Sequence, residues 1–336
     1  MNLYTMIQRY SFILARILTW VVPGTISDTR PDYDHLWKDV ITDLFEEFLL
    51  FFFPELYEHV DFTVPPEFLE QELHSIIPES QSTKRYSDKL VKLKLKNGEE
   101  QWVLVHVEVQ GDYKKDFPKR MFQYFYRVMD LYDQYIYALV IFTSHNTSPK
   151  MNAFHYNFFG TTIDYFYNTY RIAIQSETEL LKSNNPFALA VLAGLYAIKS
   201  KKNPHLKYKF KRQLMRLLLQ DKMKEKEVKR EYIQKLFIFI DHLLRLPEKS
   251  DDKLNPEIKS LVEREDFGMG LSFEDTSFAK FIRKEAMEEG IEKGEKQKAT
   301  AIAVKLLKKG FTVEEVAEDT ELSVEEVNKV KETMER

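Results

Sequence analysis

The chain contains no cysteine in its 336 residues. This excludes disulfide staples, thiolate zinc sites and a cysteine nucleophile, and a reducing, cytoplasmic location is the expectation. Any metal site must draw on oxygen or imidazole ligands, which suit magnesium, manganese or calcium better than structural zinc. A basic surplus is missing too: 49 Lys and Arg face 53 Asp and Glu, a net charge of −4. A nucleic-acid binder of this composition needs a local basic region, because phosphate contacts dominate affinity. The apolar N-terminal stretch from Ser11 to Val22 is too short to cross a bilayer and is interrupted by Arg16. Pro23-Gly24-Thr25 follows, with no small-residue cleavage pattern. The stretch reads as an amphipathic helix or an extension outside the fold, and no membrane partner is expected.

What is present suffices for a core: 44% of residues are hydrophobic and 14% aromatic. The length suggests two domains, or one with appendages. Residues 34–53 carry apolar side chains at three- and four-residue spacing from Leu36 to Phe52, which predicts one helix ended by Pro54. The period then becomes two. Val91, Leu93 and Leu95 alternate with Lys92, Lys94 and Lys96, a strand with one wet face. Asn97-Gly98 predicts a hairpin, and residues 101–110 the returning strand. Residues 117–134 form an amphipathic helix with Pro118 in its first turn, residues 137–143 a buried strand, and residues 169–174 another. The expected fold class is therefore α/β: a mixed sheet flanked by helices, followed by an all-α region.

Beyond residue 178 no strand is predicted. Residues 178–265 read as a helical domain, with a linker over 248–275. Phe278 to Lys309 reads as one long charged helix, or two, interrupted at Gly290 and Gly294 and ended by Gly310. Thr312 with Glu315, and Ser323 with Glu326, match capping boxes that start two short helices. Glu314, Glu315, Glu318, Asp319, Glu321, Glu325 and Glu326 would repel phosphate there. The tail, residues 266–336, is expected to serve oligomerisation or a protein partner rather than base readout.

The chemistry concentrates in the hairpin. On the returning strand Trp102, Leu104, His106, Glu108 and Gln110 share one face, and Val103, Val105, Val107 and Val109 the other, which reads as core. Asp88 starts the preceding strand, so an antiparallel turn at Asn97-Gly98 brings it close to Glu108. Two carboxylates on neighbouring strands repel unless a cation lies between them, and hard oxygen ligands suit magnesium. Asp34 stands at the edge of the apolar stripe of its helix, where it either joins the metal site or caps the helix. Arg120 and Arg127 either clamp a phosphate or form a solvated helix face.

Asp88, some twenty residues, then Glu108-Val109-Gln110 closing a hydrophobic strand resembles the PD-(D/E)XK nucleases in the variant where Gln replaces Lys. With Asp34-His35-Leu36-Trp37-Lys38 upstream, and Pro118-Lys119-Arg120 and Tyr124 downstream, residues 31–175 are similar to the recombination-promoting nuclease family, a group also described as transposase-like. Residues 280–330 are similar to that family's tails. The resemblance implies a restriction-endonuclease-like core over 31–177, preceded by an extension at 1–30. It implies Mg2+-dependent DNA endonuclease activity, with Mn2+ as a substitute. Asp88 and Glu108 would hold the metal, Gln110 would position water or phosphate, and Asp34 would complete the set. Lys119, Arg120 and Tyr124 would meet DNA.

A local basic region exists. Between Lys199 and Arg230 thirteen basic residues face three acidic ones, a local surplus of ten. Lys209, Lys211 and Arg212 are its expected DNA contacts, against the plainer reading of solvated helix faces. Three readings follow: an active endonuclease linked to recombination, mobile elements or defence; a non-catalytic DNA-binding or assembly protein on a decayed nuclease fold; and a nuclease silenced by a partner. Nucleases that cut duplexes often pair two sites, so a homodimer is expected.

Overall fold

A computed structural model describes residues 33–69, 87–108, 117–144, 152–219, 228–264, 273–274 and 276–335, and for Asp34, Ser87, Asp88, residues 106–108, Arg264 and Glu335 the backbone alone. The chain divides into two compact units, and it crosses between them three times. One unit holds the residues up to Thr42 together with Glu58–Ala173; the other holds Asp43–Tyr57 and Ile174–Arg336.

The first unit is α/β. Helix α1 spans Tyr33–Asp43 and buries Trp37, Val40 and Ile41. The helix predicted over 34–53 is broken at Leu44, whose ψ of 38° leaves the helical region, and α2 resumes over Phe45–Phe52. The break divides one apolar stripe between the two units, which a period-3.6 reading cannot show. Pro54 starts a further turn, α3 (Pro54–His59), rather than ending structure, because its fixed φ suits a first helical position.

Five of the seven described strands of this unit form a sheet in the order β1-β2-β3-β4-β7: Glu67–Phe68, Ser87–Lys94, Glu100–Glu108, Ile136–Phe142 and Asn168–Arg171. β1, β2 and β3 run antiparallel in sequence, whereas β3, β4 and β7 are mutually parallel. A parallel pair needs a crossover, and α4 (Phe117–Tyr132) supplies it between β3 and β4. On one side Phe117, Met121, Tyr124 and Val128 of α4 pack with Leu90, Trp102, Leu104, Ala138, Val140 and Phe142. On the other, Val91, Val103, Val105, Leu139 and Ile141 are buried as well. β3 is thus central and covered on both faces, whereas the alternation expected of β2 holds: Val91 and Leu93 are buried, Lys92 and Lys94 half-buried and Lys96 exposed. Lys92 reaches charge partners on the strands to either side, Glu67 at 3.2 Å and Glu100 at 3.4 Å.

The hairpin expected at Asn97-Gly98 forms. At Asn97-Gly98 the amide of Gly98 donates to Leu95 O at 2.9 Å, and only Gly98 of that pair has positive φ. This is a three-residue loop with glycine in the left-handed position, not a two-residue type I′ turn. The two-residue loop with positive φ at both positions is Phe159-Gly160, which joins β5 (Ala153–Phe158) to β6 (Thr161–Phe166) in a separate antiparallel pair. The alternation of Phe154, Tyr156 and Phe158 marks this hairpin, although its turn lacks the usual Asn or Asp.

The described second unit is helical. Phe48 of α2 meets Phe187 edge-on at 5.2 Å, and the Asn185 side chain donates to Glu47 O at 2.8 Å. After α5 (Glu177–Lys182) comes α6 (Phe187–Lys199), buried along nearly its whole length, with α7 (Pro204–Leu219) and α8 (Arg230–Leu243) packed on it. The linker expected from residue 248 is instead, over Glu248–Arg264, a helix, α9. Leu254, Ile258 and Val262 recur every four residues and are buried. Pro256 is tolerated because it and Asp252, whose carbonyl loses a donor, face solvent. α10 is one helix over Ser277–Lys308, uninterrupted at Gly290 and Gly294. Gly310, with φ of 89°, lets Phe311 N–H reach Leu306 O and its own N–H reach Leu307 O, a Schellman end. α11 (Val313–Thr320) and α12 (Val324–Glu335) start at the two expected capping boxes and close a small core of Ala303, Val316, Leu322 and Val327.

Candidate active site

Because β3, β4 and β7 are parallel and β2 runs against them, the start of β2 and the ends of the other three lie at one end of the sheet. In open α/β sheets the carboxyl ends of strands are where ligands bind. The register there is explicit. Asp88 pairs with His106, His106 with Val140, and Val140 with Thr169. One row further out, Glu108 pairs with Phe142 and Phe142 with Arg171. Asp88 therefore opposes His106, and Glu108 lies two positions along β3, in the same phase of the pleat. Diagonal neighbours of this kind are roughly 7–8 Å apart at Cα. Both positions are in phase with Leu90 and Leu104, on the side that α4 covers.

Two arginines belong to that end. Arg120, in the first turn of α4, is half-buried with its guanidinium carbon 5.2 Å from the centre of the Phe117 ring. The Phe117 ring lies 5.9 Å from Phe142, the residue paired with both Glu108 and Arg171. Arg171 is also half-buried, and the Nε of each arginine is shielded from solvent. Arg171 is absent from the sequence expectations. Its signal is a lone cation inside the apolar run Thr169 to Ile174, but only the parallel register places it in the row of Glu108. Beside it, burial pushes the Tyr170 phenol up to about 12, so Tyr170 is a neutral hydroxyl at physiological pH.

The other expected site residues separate. Asp34 is the second residue of α1; its side chain, like those of Asp88 and Glu108, lies outside the described residues, as does the whole of Gln110. Lys119 is exposed. Tyr124 is buried in the core under α4, with 1% of its surface accessible, so it packs the sheet and does not meet DNA. Lys209 is exposed on α7. Lys211 is fully buried: its ammonium lies 2.9 Å from both Asp241 and Asp251, which removes it from any DNA surface. Arg212 and Arg216 share the carboxylate of Glu257, and Lys199 pairs with Glu177 at 2.8 Å. Acidic residues from elsewhere in the second unit thus neutralise much of the basic surplus counted along the chain.

Among the described residues no group of three His, Asp or Glu side chains is placed to hold a metal ion. Among them too, no helix is long and apolar enough to cross a membrane. No family model matches this chain, and no curated protein or solved structure matches it either.

Proposed function

We propose that the chain is a divalent-metal-dependent DNA endonuclease, with its site at the carboxyl end of the mixed sheet. The observation that carries this reading is the register: Asp88 and Glu108 fall in one pleat phase on adjacent strands, and Arg171 stands in the row of Glu108. The donor chemistry fits magnesium or manganese, since both candidate ligands are carboxylates and the chain has no thiol. A magnesium ion bound there would polarise the phosphoryl group and lower the pKa of a water molecule. Arg171 and Arg120 supply planar donors that hold and orient a phosphate and stabilise charge as it develops. Gln110 is neutral at every working pH, so its part is to orient water or phosphate, not to take a proton. The fold order supports the same reading, with a helix, an antiparallel meander, a crossover helix and a parallel strand along residues 33–142.

The test is plasmid cleavage with magnesium or manganese, with and without chelator. Asp88→Ala and Glu108→Ala are expected to fall to the background rate, and Arg171→Ala to lose roughly 10²–10³-fold, the usual cost of removing a transition-state donor. No cleavage by the folded native chain would favour the non-catalytic or partner-silenced reading. Cleavage that survives both carboxylate substitutions would move the site elsewhere.

A further inference from the structure

α10 is rooted in the helical unit by its first residue. Ser277 donates its backbone N–H to Asp241 of α8 at 2.9 Å and its hydroxyl to the same carboxylate at 2.6 Å. Its carbonyl accepts from the side-chain amide of Asn255 of α9 at 3.4 Å, and the Lys211 ammonium of α7 lies 3.4 Å from its hydroxyl. Further along, Phe278 packs on Phe237, and Glu285 pairs with Lys259 of α9 at 2.8 Å. From Ala286 to Lys298 every position of α10 is exposed. The helix thus engages α7, α8 and α9 through its first turns.

The charge at this root does not balance if every group is ionised. Asp241 and Asp251 share the Lys211 ammonium, 2.9 Å from each, and the three side chains are 4%, 11% and 1% exposed in that order. A net negative charge in such a place is costly, and of two carboxylates sharing one site, one is driven to keep its proton. Asp241 stays ionised, because the N–H and hydroxyl of Ser277 favour its charged form and hold it below its ordinary range. Asp251 accepts no backbone N–H among the described residues, and there burial outweighs Lys211 and raises the carboxyl. The charged groups facing Asp251 are Lys211 on α7 and Asp241 on α8, while α10 presents the neutral Ser277. Lys207, one turn before Lys211, is half-buried, and its own pKa is pushed down first by burial and then by Lys211.

A protonated Asp251 has an acceptor one turn away. Asn255 follows it by four residues on α9, so the two side chains share one face of the helix. Asn255 is 2% exposed, and its Oδ1 is buried with no hydrogen-bond partner among the described residues. Turning the amide round would not help, because the Ser277 carbonyl to which it donates can only accept. An ionised Asp251 can only accept as well. A buried acceptor left unpaired is costly, and the carboxylic acid form of Asp251 supplies the missing donor.

We infer that this cluster is a proton-operated latch at the root of α10: on mild acidification Asp251 takes up a proton, donates a hydrogen bond to Asn255 Oδ1, and so fixes the amide that holds the Ser277 carbonyl. The two carboxyls act in opposite senses. Asp251, raised in the fold, contributes stability that is complete below the ordinary carboxylate range and is lost as pH rises through its folded value. Asp241, lowered in the fold, contributes stability that is lost only as pH falls further, through its own folded value. The latch therefore tightens as pH falls through the interval just above the ordinary carboxylate range, and loosens as pH rises through it.

The test uses the full chain with carbon-13-labelled aspartate, titrated by NMR. Hydrogen exchange is followed in parallel at the amides of residues 277–283, corrected for the intrinsic rate at each pH. One carboxyl should titrate above the ordinary range and be missing from Asp251→Asn. Amide protection in the native chain should rise by up to about tenfold per pH unit of acidification through that interval, the slope for one proton. Asp251→Asn keeps a permanent donor towards Asn255, so its protection should be high and level with pH. Asn255→Leu removes the acceptor at similar volume, so the high midpoint should move back towards the ordinary range. Spectra in which Asp251→Asn removes no high-titrating carboxyl would overturn the inference. So would protection in that variant that follows pH as the native chain does, or an unchanged midpoint in Asn255→Leu.

Discussion

Lys211 is one of thirteen basic residues between positions 199 and 230, and in the sequence it looks like its neighbours. In the fold it is the hub of a buried network. Its ammonium is held by Asp241 and Asp251, while Ser277 donates its backbone N–H to Asp241 at 2.9 Å and its hydroxyl to the same carboxylate at 2.6 Å. Burial opposes ionisation of Asp241, but Lys211 and both donors of Ser277 outweigh it and hold the carboxyl below its ordinary range. For Asp251 burial prevails over the same lysine, and its pKa is raised. Lys211→Met leaves two carboxylates uncompensated and should cost about 3–5 kcal/mol, read as a shift in the urea midpoint. Replacing Lys211, Asp241 and Asp251 together by apolar residues of similar size should recover most of that loss. Neither change should alter oligonucleotide affinity of the folded protein, because none of the three is accessible to a phosphate.

At the scale of elements, local chemistry and tertiary demand part company at identifiable places. The capping boxes of α11 and α12 and the glycine end of α10 are local devices; each is complete within a few residues, so spacing alone predicts them. At Glu326 a distant partner outweighs the local one: the Lys296 ammonium, thirty positions away, comes first, and the backbone and hydroxyl of Ser323 second, in holding its carboxyl down to about 2. Gly290 and Gly294 look like breaks, yet α10 continues through them, because isolated glycines weaken a helix without ending it. Both sit where an added Cβ would meet nothing within 4 Å. Gly290→Ala and Gly294→Ala should therefore each stabilise α10 by about 0.5–1 kcal/mol, measured as slower amide exchange in the flanking turns. The helix over Glu248–Arg264 escaped a reading by composition because its polar residues outnumber the apolar ones that fix it, Leu254, Ile258 and Val262.

The whole molecule is discontinuous. Residues 43–57 lie, in sequence, between parts of the first unit but belong to the second, where Phe48 packs on Phe187 and Glu47 accepts from Asn185. A fragment starting at residue 174 would expose the Phe187 site. It should aggregate or melt far below the full chain, and addition of a peptide spanning 43–57 should restore part of its stability, as followed by circular dichroism. A fragment that folds as stably without the peptide would mean that α2 is an accessory and not part of that core.

What the sequence by itself determined is what nearest neighbours decide: the period-two strands around residues 87–108, the buried run of β4, the long charged helix and its caps, and the approach of Asp88 to within two positions of Glu108 across one antiparallel turn. Their physics acts over a few residues, through pleat phase, helical phase and capping hydrogen bonds. Tertiary structure alone decided which cations are spent in the core, as Lys211 is, and which arginine joins the row of Glu108. It also placed Tyr124 in the core and split one helical stripe at Leu44 between two units. These outcomes depend on parallel register and on burial by residues thirty or more positions away, as Asp241 is from Lys211 and Arg171 from Glu108. No periodicity along the chain encodes such partners.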